Sequence, residues 1–441
     1  MKGEATQTQV PQYKRMRNFD FYEGVENCAG EMNVAFPIYE YKNRLSKIRK
    51  LMERDGLDTL YLTAPESMYY VSGYNCVWHR VNPPKRWAPS AAAGVAINVD
   101  CDNFILYDLP DEEGVIKNTS IAEDVRLFYT VPSEIFGKTY TTTTKEEDYK
   151  DLVLKDLKQQ GWLKEGRKIG LELGSYRPTC AIFLEIKEKL ESLGCIVSDA
   201  TYLVREVRKI KSALELQYIE TATRICDEGM AAVYNALHPG ITELELVGEY
   251  TKAQTAVGGE VAGIANMVRS GPYRCKCFHI PAGRRKIMIG DPVGVDLAGV
   301  YNRYHSNQCR YFSIEEPSKE YMKEYEVNET IISAVKELIK PNLPVKDFLK
   351  DLKKYYEESG LWEKKYWIGG YEMGIAFPPD WVGEFDYDIC KDLEDDEKIF
   401  LPGMVVNMET GFGVIDTIMF KEEEAVMLGK TTRKLMIKER E

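Results

Sequence analysis

Gly290-Asp291-Pro292-Val293-Gly294-Val295-Asp296-Leu297-Ala298-Gly299-Val300-Tyr301, answered by Tyr304-His305-Ser306-Asn307-Gln308-Cys309-Arg310-Tyr311-Phe312, is the stretch on which the reading of this chain turns. Both halves read as strands, over 292–298 and 308–314. The first sets a carboxylate, Asp296, on a strand between turns, and a second polar group, Asn307, opens the next. Upstream, two long amphipathic helices are predicted over 213–237 and 242–257, separated by the helix-stop signature His238-Pro239-Gly240. A strand over 266–270 follows them. Downstream come helices over 319–339 and 345–358, then Gly-rich strands from Ile368 onward. Strands, helix pairs and strands again, with connections of mostly antiparallel length, read as an α+β domain over 206–441.

Further out, 202–212 is basic and polar and reads as a joint. Before it, Leu45, Ile48, Leu51 and Met52 make one face of a helix that stops at Gly56. A strand over 58–63, a hairpin 91–99 and 103–107 across Asp100-Cys101-Asp102, helices over 149–160 and 181–193, and strands over 168–173 and 195–197 complete an α/β domain over 36–205. Residues 1–35 lack periodicity and are rich in Gln, Thr, Asn and Glu, so they read as an arm that orders only on docking. Two domains are what 441 residues ask for, since single cores stop growing at roughly 250 to 300 residues.

Composition removes several function classes. With 44% hydrophobic and 29% charged residues the chain is neither fibrous nor disordered. The 58 basic against 70 acidic residues leave a net charge of −12, which repels phosphate backbones and anionic lipid heads, so neither nucleic acid nor membrane is an expected partner. The best apolar stretch, 87–99, is shorter than the roughly 20 residues a membrane span needs and contains Pro89 and Ser90. The first 17 residues are polar, without the apolar core of a signal peptide, and the expected location is the cytoplasm. Ten cysteines without a repeated short spacing suit reduced thiols.

The opening hairpin resembles the pita-bread superfamily of creatinase, aminopeptidase P, prolidase and methionine aminopeptidase. The resemblance implies a pita-bread catalytic domain behind an N-terminal RNase-H-like α/β domain of creatinase type, assembled as a homodimer. In its metal-dependent members this hairpin supplies two aspartates, a Gly-His motif a histidine and two late strands two glutamates. Together these hold a pair of divalent ions that polarise a carbonyl and make hydroxide at neutral pH. Laid on that pattern, Asp296 matches the first aspartate, and Glu409 in Pro402-Gly403-Met404-Val405-Val406-Asn407-Met408-Glu409 matches the first glutamate. The second aspartate is Asn307, the histidine is Tyr371 in Gly370-Tyr371-Glu372-Met373-Gly374, and the last glutamate falls near Ile415. Three of the five positions are thus neutral at pH 7, whereas hard divalent ions need carboxylate or imidazole. No metal and no cofactor are expected.

Within the superfamily, Gly370-Tyr371-Glu372-Met373-Gly374-Ile375-Ala376-Phe377-Pro378-Pro379-Asp380-Trp381 is similar to ectoine hydrolase, which like creatinase cleaves a C–N bond with side chains alone. Tyr304-His305 fits that branch, and 403–409 is as close to creatinase as to any member. The chain departs from the branch after the tryptophan, where Val382 intervenes before Gly383-Glu384. The resemblance implies roles residue by residue. His279, in Cys277-Phe278-His279-Ile280-Pro281, matches the catalytic histidine that creatinase uses as general acid and base. An imidazole with a pKa of about 6.5 can do both jobs at one pH, and the plainer alternative is a strand-end histidine bonded to backbone. Cys275, Cys277 and His279 alternate, so in a strand they share a face, leaving zinc as a rival to core thiols.

Burial alone would raise the pKa of Glu409, but opposite a cationic substrate it stays ionised, anchors the cation and orients water. Asp296 gives polar support, while Tyr371 either donates to a developing oxyanion or plugs the place of the lost ligand. Substrate contacts fall to Asn307, Asp380 and Trp381, whose indole face suits a cation. A loop carrying Trp78, Arg80 and Arg86 corresponds to one that in creatinase reaches the partner subunit's site, where an arginine fork grips a carboxylate. The expected activity is metal-independent hydrolysis of a C–N bond in a small zwitterionic amidine, guanidine or cyclic amide. The rivals are an Xaa-Pro dipeptidase, a dimethylsulfoniopropionate-lyase-like β-elimination and a binding homologue that has lost catalysis.

Overall fold

The computed structural model describes residues 34–77, 92–128, 148–381 and 383–439, together with the backbone of 133–135 and 138–140. The chain divides into two compact units, the first ending at Val207 and the second beginning at Arg208. The arm lies outside the described residues apart from Val34 and Ala35, which are buried.

The first unit opens with α1 (Ile38–Asp55), which buries Tyr41, Leu45, Ile48 and Met52 and ends where Gly56 turns left-handed at φ 65°. Its sheet comprises β1 (Thr59–Leu62), β2 (Gly94–Asn98), β3 (Phe104–Asp108), β4 (Asp124–Leu127), β7 (Lys168–Leu171) and β8 (Ile196–Asp199), in the order β4-β3-β2-β1-β7-β8. A separate small hairpin joins β5 (Ser133–Ile135) to β6 (Lys138–Tyr140). The expected 91–107 hairpin is present as the antiparallel pair β2 and β3, whereas β1, β7 and β8 run parallel. Two short helices, α2 (Pro65–Ser72) and α3 (Glu113–Thr119), were not legible, because each offers barely two turns of pattern. The core runs through Tyr107, Val153, Leu157, Phe183 and Leu190, the last four from α4 (Tyr149–Gln159) and α5 (Cys180–Ser192).

The expected joint at 202–212 contains the boundary between the two units, and it is mostly helix, α6 (Thr201–Lys209). Leu203, Val204 and Val207 are buried, and so is Arg208, whose guanidinium donates to the Ile375 carbonyl at 2.7 Å, so the segment is a packed helix rather than an extended, solvated strand of chain.

In the second unit α7 (Ala213–Ala236) and α8 (Glu243–Ala256) each start with a full capping box, Ser212 with Glu215 and Thr242 with Glu245, satisfying backbone N–H groups that a helix start leaves orphaned. They pack on β9 (Met267–Ser270), β10 (Pro292–Tyr301) and β11 (Tyr304–Ile314). α9 (Lys319–Leu338) and α10 (Val345–Glu358) pack on β12 (Ile368–Tyr371), β13 (Asp386–Asp388), β14 (Val405–Thr410) and β15 (Ile415–Phe420). One sheet in the order β13-β12-β14-β15-β11-β10-β9 joins both halves through Cys309 opposite Ile415. β16 (Ala425–Met427) adds to β15 and β17 (Met436–Lys438) to β11. At Gly299 a Cβ would stand 1.9 Å from the Ala222 carbonyl oxygen, so glycine is what lets α7 lie directly on β10.

Candidate active site

One face of this sheet carries the helices and the other carries the chemistry. On β10 Val293, Val295 and Leu297 belong to the helix-covered cluster, so the two-residue period turns Asp296 to the opposite face. The same parity sends Val406 and Met408 of β14 and Ile418 of β15 under the second helix pair, and Glu409 and Ile415 away from it. Asp296, Asn307, Tyr371, Glu409 and Ile415, each from a different strand, consequently border one cavity of about 550 Å³. Phe278, Tyr366, Trp367 and Trp381 give it aromatic walls, and His279 borders it on an exposed turn.

Asp296 is held from two sides. Asn307 Nδ2 donates to Asp296 Oδ1 at 3.0 Å and to the Leu297 carbonyl at 3.1 Å, while Arg269 Nη1 lies 3.8 Å from Asp296 Oδ2. Burial pushes the Asp296 carboxyl up, opposed by Arg269 and then by Asn307. Burial, with Asp296 as second cause, pushes the Glu409 carboxyl up to about 7. Near neutrality Glu409 is therefore divided between acid and carboxylate, the rise that burial alone was expected to give. Two carboxyls sharing one low-dielectric cavity oppose each other's ionisation.

Tyr371 takes the histidine position as a neutral O–H donor. Its hydroxyl accepts from Trp381 Nε1 at 3.2 Å, its backbone N–H donates to Asn407 Oδ1 at 2.8 Å, and burial raises its pKa far above the usual phenol range. Glu372 next to it faces elsewhere. It pairs with the buried Lys211 at 2.5 Å and accepts from the Glu384 N–H, anchoring the strand rather than serving the cavity. Trp381 stands edge-on to His305, centroids 5.4 Å apart, and packs against Ala262, Ala298 and Val300. His305 is a fully engaged neutral imidazole. Its Nε2 accepts from the Gly263 N–H at 2.9 Å, so Nδ1 carries the proton toward the Arg303 carbonyl at 2.8 Å, and burial pushes its pKa down to about 4.

Arg269 was missed by the sequence reading. Fully buried on β9, its guanidinium donates from Nε to the Cys275 carbonyl (3.1 Å) and from Nη1 to the Phe278 carbonyl (3.4 Å) and lies over the Phe278 ring. One cation thus ties Asp296 to the turn that presents His279. Two signals pointed to it: an arginine at an inward position of a strand, and Gly294 opposite it, where a Cβ would stand 3.1 Å from Arg269 Nε.

Other expectations need correction. Cys275 lies in a 3₁₀ turn (Arg274–Lys276) and His279 in the turn after it, because β9 ends at Ser270 and Gly271 takes φ 80°. The alternation argument for a shared strand face therefore fails. Among the described residues, no group of three or more His, Cys, Asp or Glu is placed to hold a metal ion, and the described cysteines are free thiols. A carboxylate capped by an amide N–H and backed by a guanidinium, with a phenol, a half-protonated carboxyl and an alkyl group, does not fit a pair of hard divalent ions. Asp380 is half-buried beside Trp381 and is not among the cavity residues. Trp78, Arg80 and Arg86 lie outside the described residues. Among the described residues, no helix is long and apolar enough to cross a membrane.

Comparison with known proteins agrees with this architecture. Residues 44–210 match the Creatinase/Prolidase N-terminal domain and residues 217–431 match Metallopeptidase family M24. Ectoine hydrolase of Halomonas elongata is 24% identical over 425 residues, spanning 92% of this chain and all of that protein. Xaa-Pro dipeptidase of Pyrococcus furiosus is 24% identical over 406 residues, spanning 90% of this chain and all of that one. The crystal structure of a prolidase from Thermococcus sibiricus superposes with a TM-score of 0.72 at 20% identity, covering 90% of this chain and 99% of that one. Domain order, sheet topology and these matches together place the chain in the pita-bread superfamily, as a Creatinase/Prolidase N-terminal domain followed by an M24 domain.

Proposed function

We propose that this M24-family chain hydrolyses a C–N bond in a small zwitterionic amidine, guanidine or cyclic amide without a metal ion. The observation that carries this reading is the treatment of Asp296, which meets the Asn307 amide and the Arg269 guanidinium where the family pattern would set divalent cations. The cavity suits such a substrate, because aromatic walls and two carboxyl groups favour a delocalised cation. Water adds to the substrate carbon as His279 takes its proton. The C–N bond breaks as that proton passes to the leaving nitrogen. Glu409 holds the cationic end and orients the water, and the Tyr371 hydroxyl stabilises charge developing in the tetrahedral intermediate.

The Xaa-Pro dipeptidase similarity is equally strong, so the assay must separate the two. Metal analysis after mild purification should give less than one equivalent of iron, manganese, zinc or cobalt per chain. A panel of creatine, ectoine, hydroxyectoine, guanidino acids, X-Pro dipeptides and dimethylsulfoniopropionate, read by mass spectrometry, should show turnover of an amidine or guanidine. About two metal equivalents with dipeptide turnover would return the chain to the peptidases, and acrylate release would make it a lyase.

A further inference from the structure

Asn307 is 4% exposed and borders the cavity, and its orientation is settled by its surroundings. Its Nδ2 faces two acceptors, Asp296 Oδ1 and the Leu297 carbonyl, so the amide cannot be turned over without setting oxygen against oxygen. Its backbone is clamped by Thr417, whose Oγ1 accepts from the Asn307 N–H at 2.9 Å and donates to the Asn307 carbonyl at 3.0 Å. That leaves Oδ1 as a buried acceptor with no partner among the described residues. A buried carbonyl without a donor is unfavourable, and a bound N–H would relieve that cost. On the cavity side Asp296 adds further acceptors, and the donors that border the cavity, the Tyr371 hydroxyl among them, make no hydrogen bond to Oδ1.

We propose that Asn307 selects the substrate by accepting a hydrogen bond from it, so that the site takes cations carrying hydrogen on nitrogen, amidinium or guanidinium, and rejects quaternary ammonium and sulfonium groups of similar size. The inference rests on the proposed function for its cationic substrate and adds what kind of cation it is. Sites that hydrogen-bond a substrate N–H reject the analogue lacking it strongly, because their own buried group is then left unpaired. An aromatic wall alone accepts either cation.

The test uses acetamidinium and tetramethylammonium as chloride salts, with the full chain, in titrations followed by ligand-observed NMR and calorimetry. Neither probe has a hydrolytic fate to be assumed, so failure of the proposed reaction, seen as no turnover of the substrate panel, is scored separately from failure of selection. Acetamidinium should bind at least about tenfold tighter than tetramethylammonium, and in Asn307→Leu that ratio should fall to within about threefold. Because leucine also removes the donor to Asp296, Asn307→Asp serves as a second variant. It keeps an acceptor and should keep the preference. Equal binding of the two cations, binding of neither, or a preference that survives in Asn307→Leu would each overturn the proposal.

Discussion

Glu409 is the residue whose behaviour most depends on its surroundings. In the folded chain its carboxyl holds a proton up to about pH 7 against an ordinary value of 4.5. The native state therefore binds more protons than the unfolded one between those values. The stability this contributes is complete below about pH 4.5 and is lost as pH rises through 7, a change on the order of 3 kcal/mol. Glu409→Gln removes the charge, so it should melt higher than wild type near pH 8 and lose that advantage near pH 4.5, while turnover collapses. Thermal melts across that range check it, and parallel curves for the two proteins would mean that another group titrates. At His279 the expectation separates binding from chemistry. His279→Ala should lower kcat by roughly 10²- to 10⁴-fold, the usual worth of general acid–base catalysis, with substrate affinity nearly unchanged. Ligand binding without turnover, unaffected by His279→Ala, would favour a non-catalytic binding protein.

The elements matter through what they bring close. β9 contributes Arg269, which sits behind Asp296 and holds the Cys275 and Phe278 carbonyls of the following turn. Arg269→Met leaves Asp296 buried without its cation, which should cost about 3 to 5 kcal/mol, and Asp296→Asn on the same chain should recover part of it. Denaturant unfolding of the single and double variants measures both. A double variant no more stable than Arg269→Met would show that the pair is not coupled. The contact of α7 with β10 is equally specific. Gly299→Ala sets a Cβ against the backbone of Ala222 and Cys226, so the helix must retreat, at a cost of about 1 to 3 kcal/mol or more. A melting temperature unchanged by Gly299→Ala would contradict that close approach.

At the scale of the whole molecule, we propose that the chain works as a homodimer and that Arg80 or Arg86 contributes to substrate binding. Light scattering should give twice the single-chain mass, and an Arg80→Ala, Arg86→Ala variant should bind substrate more weakly. A monomer with normal affinity after both substitutions would dismiss the idea. Much of the architecture was legible beforehand, because helix and strand periods are local properties. The long helices of the second unit, with Ser212 and Thr242 at their starts, and the strand pair around Asp296 all appear near their expected bounds. Motif positions likewise pointed to Asp296, Asn307, Tyr371, Glu409 and Ile415, which the cavity brings together. What the sequence could not contain is whatever depends on register and burial. The donation from Asn307 to Asp296, the guanidinium of Arg269 behind both, and the turn that takes His279 off the strand arise between segments packed in space. The shift of Glu409 to about 7 arises because that packing removes water from two carboxyls at once, and dielectric surroundings are not written in the order of residues.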